Sequence, residues 1–253
     1  MGARLLTIPI SHFCEKARWA LDRAGVEYAE HPHVQLIHIF AARLAGGGRT
    51  VPVLVTADGE VLADSTTILR WTDTRVALEQ RLYPDGELGI SAAALETWLD
   101  DGLGPDGRLW MYHETLPVVD ELEPWALAGV PPWERRLFRV SRPFVGVAIR
   151  RYLGVDAVSA SAAVERIRGV FDSVADRLSD GRPFLLGDRF TAADLTFAAL
   201  AAPMLLPVRY GSPLPPPEAM PDALASEVRR LRAHPAGVFA DRLYSEERSS
   251  RTD

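Results

Sequence analysis

Residues 183–194 read PFLLGDRFTAAD, the most specific local signal in the chain. Thr191-x-x-Asp194 is a variant of the capping box, with Asp where Glu is usual. Such a pair satisfies two of the backbone N–H groups that a helix start leaves without partners. Phe190 before the cap and Leu195 after it are placed for a hydrophobic staple. The stretch therefore opens a helix, which the apolar spacing carries over 192–206. It is a folding signal and carries no chemistry of its own.

Outward from this helix the periodicity stays helical. It predicts further helices at 91–103, 106–116, 133–153 and 158–179 upstream, and at 222–232 and 236–246 downstream. Residues 211–217 (GSPLPPP) read as a rigid loop, and 248–253 as a frayed polar tail.

Before residue 90 the character is different. Strands are expected at 4–8, 27–34, 51–56 and 60–63, the last two joined through Asp58-Gly59, a hairpin signal. Helices are expected at 13–24, ended by Gly25, at 36–44, and at 65–74. The order is β-α-β-α-β-β-α, a small partly parallel sheet with helices on its faces. The segment 83–86 (YPDG) reads as a linker. The expected domains are 1–83 and 91–253.

The bulk numbers agree with this division. A chain of 253 residues, 47% hydrophobic and 25% charged, suits one large or two modest globular units. No run approaches the roughly 20 apolar residues of a bilayer span, and the first ten residues lack the length and cleavage site of a signal peptide. The expected location is cytoplasmic. A formal net charge of -6 disfavours nucleic acid as a partner. Lys16 is the only lysine among 28 basic residues. One cysteine, Cys14, excludes an internal disulfide and a multi-cysteine zinc site. His31, His33 and His38 lie close together, but no acidic residue is spaced to complete a site, so no metal is expected. There is no G-x-S-x-G and no P-loop. Trp98, Trp110, Tyr112 and Trp133, at helical spacing, read as core.

A βαβαββα unit followed by an all-helical one resembles the cytosolic glutathione transferases. The resemblance rests on four motifs: 183–194 (the helical domain's folding signature), the Ser11-His12-Phe13-Cys14 turn, Val51-Pro52 after the glycine-rich 46–48, and Asp64-Ser65 before the third helix. It implies an α/β thioredoxin-like N-terminal domain that binds glutathione and an all-α C-terminal domain that supplies the second-substrate pocket. It implies that Ser11 takes the catalytic position, hydrogen-bonding the glutathione sulfur in its thiolate form. A helix N-terminus favours such an anion, although a serine there also simply caps. Cys14, one turn into the helix, is the alternative, as a thiol forming mixed disulfides; a lone cysteine on an apolar face is more often packing. Val51 and a cis Pro52 would hold the cysteinyl backbone. Asp64 and Ser65 would take the γ-glutamyl ammonium and carboxylate. Where the family carries Lys or Gln for the glycyl carboxylate, this chain has Arg49. The resemblance also implies a homodimer, a small hydrophobic electrophile as second substrate, and no membrane partner. Two further readings are a glutathione-dependent thiol-disulfide oxidoreductase, which Cys14→Ala would abolish, and a non-catalytic binding protein of the same fold. The extra length near 124–132 and 213–217 is expected to reshape or cover the second-substrate pocket.

Overall fold

The computed structural model describes residues 2–248. Strand β1 (Ala3–Thr7) leads into helix α1 (His12–Arg23), and β2 (Tyr28–Pro32) into α2 (Ile37–Leu44). Strands β3 (Val53–Val55) and β4 (Val61–Leu62) precede α3 (Ser65–Asp73). The helices that follow are α4 (Glu87–Asp101), α5 (Leu103–Thr115), the short α6 (Glu123–Ala126), α7 (Pro132–Leu153), α8 (Ala157–Leu178), α9 (Ala192–Leu205), α10 (Asp222–Ala233) and α11 (Pro235–Glu246). The α/β unit followed by a helical one is the architecture expected from the sequence.

The sheet runs β2-β1-β3-β4, with β1 parallel to β2 and antiparallel to β3, and β3 antiparallel to β4. Local chemistry explains the element ends. Ser11 caps α1 and Asp64 caps α3 through side-chain acceptors. Gly25, at φ +64, ends α1 in the left-handed region that glycine enters freely. Pro132 opens α7 at the position where a missing N–H costs nothing.

Helix α9 is buried along its whole length and anchors the helical unit. Its start is closed as expected: Asp194 accepts from the N–H groups of Thr191 and Leu185, each at 2.8 Å. Burial raises the Asp194 carboxyl to about 6. The main core joins α9 to Trp19 and Ala20 of α1 and to Leu69 of α3, so α1 lies between the sheet and the helices.

That position buries more of α1 than its apolar spacing predicts. Glu15, Lys16 and Arg18 are buried alongside Ala17 and Leu21. Each charge has partners from distant elements. Arg18 donates to Glu30 at 2.6 Å. Glu15 accepts from Arg248 at 2.9 Å and from the Gly211 N–H at 2.9 Å. The expected frayed tail therefore begins differently: Arg248 is buried and also paired with Asp22 at 2.8 Å. The rest of that tail, 249–253, lies outside the described residues. Two aromatics expected in the core are instead exposed, Trp98 on α4 and Trp133 on α7.

Candidate active site

The strand registers bring the expected site residues to one end of the sheet. Leu6 pairs with Val53 across the antiparallel β1–β3 ladder, so the start of β3 after Val51-Pro52 lies at the end of β1 that leads to the turn at Ser11. Leu54 pairs with Leu62 in β3–β4, so β4 runs out toward Asp64 at the same end at which β3 begins. The Val51–Pro52 peptide bond is cis. Ser11, Val51-Pro52 and Asp64-Ser65 thus gather at the same end of the sheet, although they are spread over more than fifty positions of sequence.

Ser11 is half-buried at the cap of α1. Its hydroxyl oxygen accepts from the Cys14 N–H at 3.4 Å, and the hydroxyl also hydrogen-bonds the Cys14 thiol. Cys14 is fully buried, and burial pushes its thiol above the ordinary range. A protonated thiol out of contact with solvent is a poor nucleophile, which weighs against Cys14 as the reacting group. His12 beside them is also buried. Its imidazole is lowered to about 3 by burial first and then by the charge of Arg108, so it is neutral.

Asp64 accepts from the Thr67 N–H at 2.8 Å and from the Thr67 hydroxyl at 2.6 Å. It stays exposed while capping α3; Ser65 behind it is buried. Arg49 lies exposed in the loop before Val51.

Three features were not read from the sequence. The first lies directly behind Ser65. Lys16 reaches Asp100 at 2.6 Å, Glu96 at 2.7 Å and the Thr66 hydroxyl at 3.2 Å. Thr66 in turn donates to Glu96 at 2.8 Å. This buried network fixes the start of α3 to α1 and α4. The one available signal was compositional: Lys16 is the only lysine of the chain. The second is Gly104 on α5, where a Cβ would fall 2.5 Å from the Phe13 ring, so this glycine is what lets α5 approach the turn after Ser11.

The third feature is how residues 116–156 pack: the extra length near 124–132 and the helix at 133–153 were expected, but their contact with the β2–α2 loop was not. Residues 116–156 hold α6 and α7 and their own small core, in which Phe138, Val145 and Ile149 pack with Val34 of the β2–α2 loop. Because β2 is parallel to β1, that loop lies at the same sheet end as Ser11. Glu134 of α7 is buried there, accepting from the Val34 N–H at 3.0 Å and paired with His33 at 2.7 Å. The extra length near 124–132 thus closes onto the site end. The proline-rich 213–217 borders a cleft of about 800 Å³ lined by Leu206, Tyr210, Arg232 and Arg248, and Tyr210 just before it donates to the Ile10 carbonyl at 3.2 Å.

Among the described residues no cluster of His, Cys, Asp and Glu is arranged to hold a metal ion. His31 pairs in the sheet and His33 is engaged by Glu134.

The glutathione S-transferase N-terminal domain family matches residues 5–80, and the C-terminal domain family matches 137–234. The chain belongs to the glutathione S-transferase superfamily. A comparison with curated proteins gives no match. Among solved structures, the glutathione S-transferase of Ceriporiopsis subvermispora in complex with glutathione is similar over 100% of both chains, at 18% identity and a TM-score of 0.65. That of Pseudomonas fluorescens is similar over 100% of both chains, at 16% identity and 0.60. That of Xanthobacter autotrophicus covers 97% of this chain and 93% of its own, at 17% identity and 0.57. At these identities the likeness is one of fold, and the transferase superfamily rests on the two domain matches.

Proposed function

We propose that this superfamily member uses glutathione as a thiol co-substrate and transfers it to a small hydrophobic electrophile. The observation that carries this reading is the convergence of Ser11, the cis Val51-Pro52 pair and the capped start of α3 at one end of the sheet. In this reading the backbone of Val51 holds the cysteinyl part of glutathione. Asp64 and Ser65, at the N-terminus of α3, take the γ-glutamyl end, and Arg49 takes the glycyl carboxylate. Residues 1–83 act as the glutathione unit, and 91–253 supply the second-substrate wall. The protein works in the cytoplasm as a homodimer, with no metal.

The chemistry assigned to Ser11 is modest and specific. A free thiol has a pKa near 8.5, so only a few per cent is ionised at neutral pH. A hydroxyl donor and the partial positive charge of the α1 N-terminus both stabilise the thiolate. The thiol proton leaves to solvent. The sulfur then attacks the electrophilic carbon, forming an S–C bond as the leaving group departs with its electron pair.

The test is titration of reduced glutathione into the protein and into Ser11→Ala, followed by turnover with an electrophile panel. Binding is expected in both proteins, with kcat/KM in the variant lower by about a hundredfold or more, the scale for removing one aimed donor. Cys14→Ala is expected to keep conjugation. Absence of binding at millimolar glutathione would sink the proposal, and full turnover in Ser11→Ala would remove Ser11 from its role.

A further inference from the structure

Helix α7 carries an apolar row that the fold leaves uncovered. Trp133, Leu137, Val140, Phe144 and Val147 are all exposed, Val140 at 81% and Phe144 at 79%. Their spacing of four and three residues keeps them on one stripe of the helix. The stripe runs about 21 Å at 1.5 Å per residue. The buried face, Glu134, Phe138, Val145 and Ile149, is a different one and is already satisfied.

The charge on this helix is equally one-sided. Its sequence, PWERRLFRVSRPFVGVAIRRYL, holds six arginines and one acid. The acid, Glu134, is buried against His33 and Val34. Arg139 and Arg142 are paired with Glu123 and Asp120. Arg136, Arg150 and Arg151 are exposed, with no ion pair among the described residues. This occurs on a chain whose formal net charge is -6. A basic helix with a Trp, Leu and Phe row matches a surface that is anionic outside and apolar beneath. A second copy of α7 laid on the row would bring arginines toward arginines with no exposed acid of the helix to pair them.

We infer that α7 is a peripheral membrane-binding helix, laying its apolar row into the headgroup boundary of an anionic bilayer while Arg136, Arg150 and Arg151 meet lipid phosphates. It does not span the bilayer: no helix among the described residues is long and apolar enough to cross. The inference departs from the sequence expectation of no membrane partner, and it stands independently of the glutathione reading.

The experiment is co-sedimentation of the full chain with extruded vesicles, phosphatidylcholine alone against phosphatidylcholine with phosphatidylglycerol, at low and high salt. The expected result is binding to the anionic vesicles only, weakened by salt. Val140→Glu with Phe144→Glu should reduce that binding by roughly tenfold or more. Arg150→Gln with Arg151→Gln should reduce it by a smaller factor while leaving both exposed apolar residues in place. The oligomeric state of native protein and both variants is measured without lipid. The inference is overturned by no binding to anionic vesicles, by equal binding to neutral ones, or by binding that survives both double variants. It is also overturned if the Val140/Phe144 variant changes oligomeric state, which would make the row a subunit interface.

Discussion

Helices α1 and α7 invert the usual rule in opposite directions. Helix α1 buries a glutamate, a lysine and an arginine; α7 leaves a tryptophan, a leucine, two valines and a phenylalanine in solvent. The difference lies in where the partners are. Every buried charge of α1 meets an opposite charge from elsewhere in the same chain, Glu96 and Asp100 for Lys16, Glu30 for Arg18, Arg248 for Glu15. The exposed row of α7 has no such partner among the described residues. The buried charges of α1 are thus matched within the fold, Arg18 by Glu30 twelve residues on and Glu15 by Arg248 at the far end of the described chain, whereas the α7 row is not covered by it.

The sharpest way to break this comparison is to remove Lys16. Its ammonium lies between two carboxylates, and burial already pushes Asp100 upward against the pull of Lys16. Lys16→Met leaves Glu96 and Asp100 facing each other without a cation. Breaking a buried pair by deleting one partner costs about 3–5 kcal/mol. Urea unfolding should show that loss, together with weaker glutathione affinity, because Thr66 of the α3 start hangs on the same network. A loss under about 1 kcal/mol would mean that the α1 charges are passengers of the packing rather than its organisers.

A second effect concerns pH. His12 titrates at about 3 in the fold against an ordinary 6.5. Between those values the unfolded chain binds a proton that the folded chain refuses, so stability falls as pH drops from 6.5 toward 3. Over the whole window the shift amounts to a few kcal/mol. Asp194 works in the other direction. Its carboxyl, raised to about 6, keeps its proton longer in the fold, so its contribution falls as pH rises from 3.8 to about 6. His12→Asn removes the first term and leaves the second. Its urea midpoint should therefore decline less than that of the native protein between pH 6 and 4. Parallel curves for the two proteins would show that His12 is not held neutral.

How much of this was legible follows the range of each interaction. The caps at Ser11, Asp64 and Thr191-Asp194 and the stop at Gly25 were readable because partner and signal lie within a few residues. The sheet was readable because alternation and the hairpin are local. The Lys16 network was not, since Glu96 and Asp100 come about eighty positions later and nothing near Lys16 announces them. Glu134 on Val34 spans a hundred positions. Arg248 looked like tail for the same reason: its partners, Glu15 and Asp22, lie at the other end of the chain. Trp133 looked like core because spacing shows that a row exists but not which side is covered.

The smallest expected effect is the most discriminating for α7. Phe144→Ser removes a ring that stands 79% exposed and belongs to none of the buried clusters. Such surface changes usually stay within about 0.5 kcal/mol. The thermal midpoint of the isolated protein should therefore barely move, whereas Phe138→Ser, six residues earlier on the buried face, should cost several kcal/mol. Equal losses at both positions would mean that the row at Phe144 is part of this chain's own packing, and the contrast with α1 would fail. A silent Phe144→Ser beside a damaging Phe138→Ser would leave the ring at Phe144 with no role in the folded monomer, as its exposure in the fold requires.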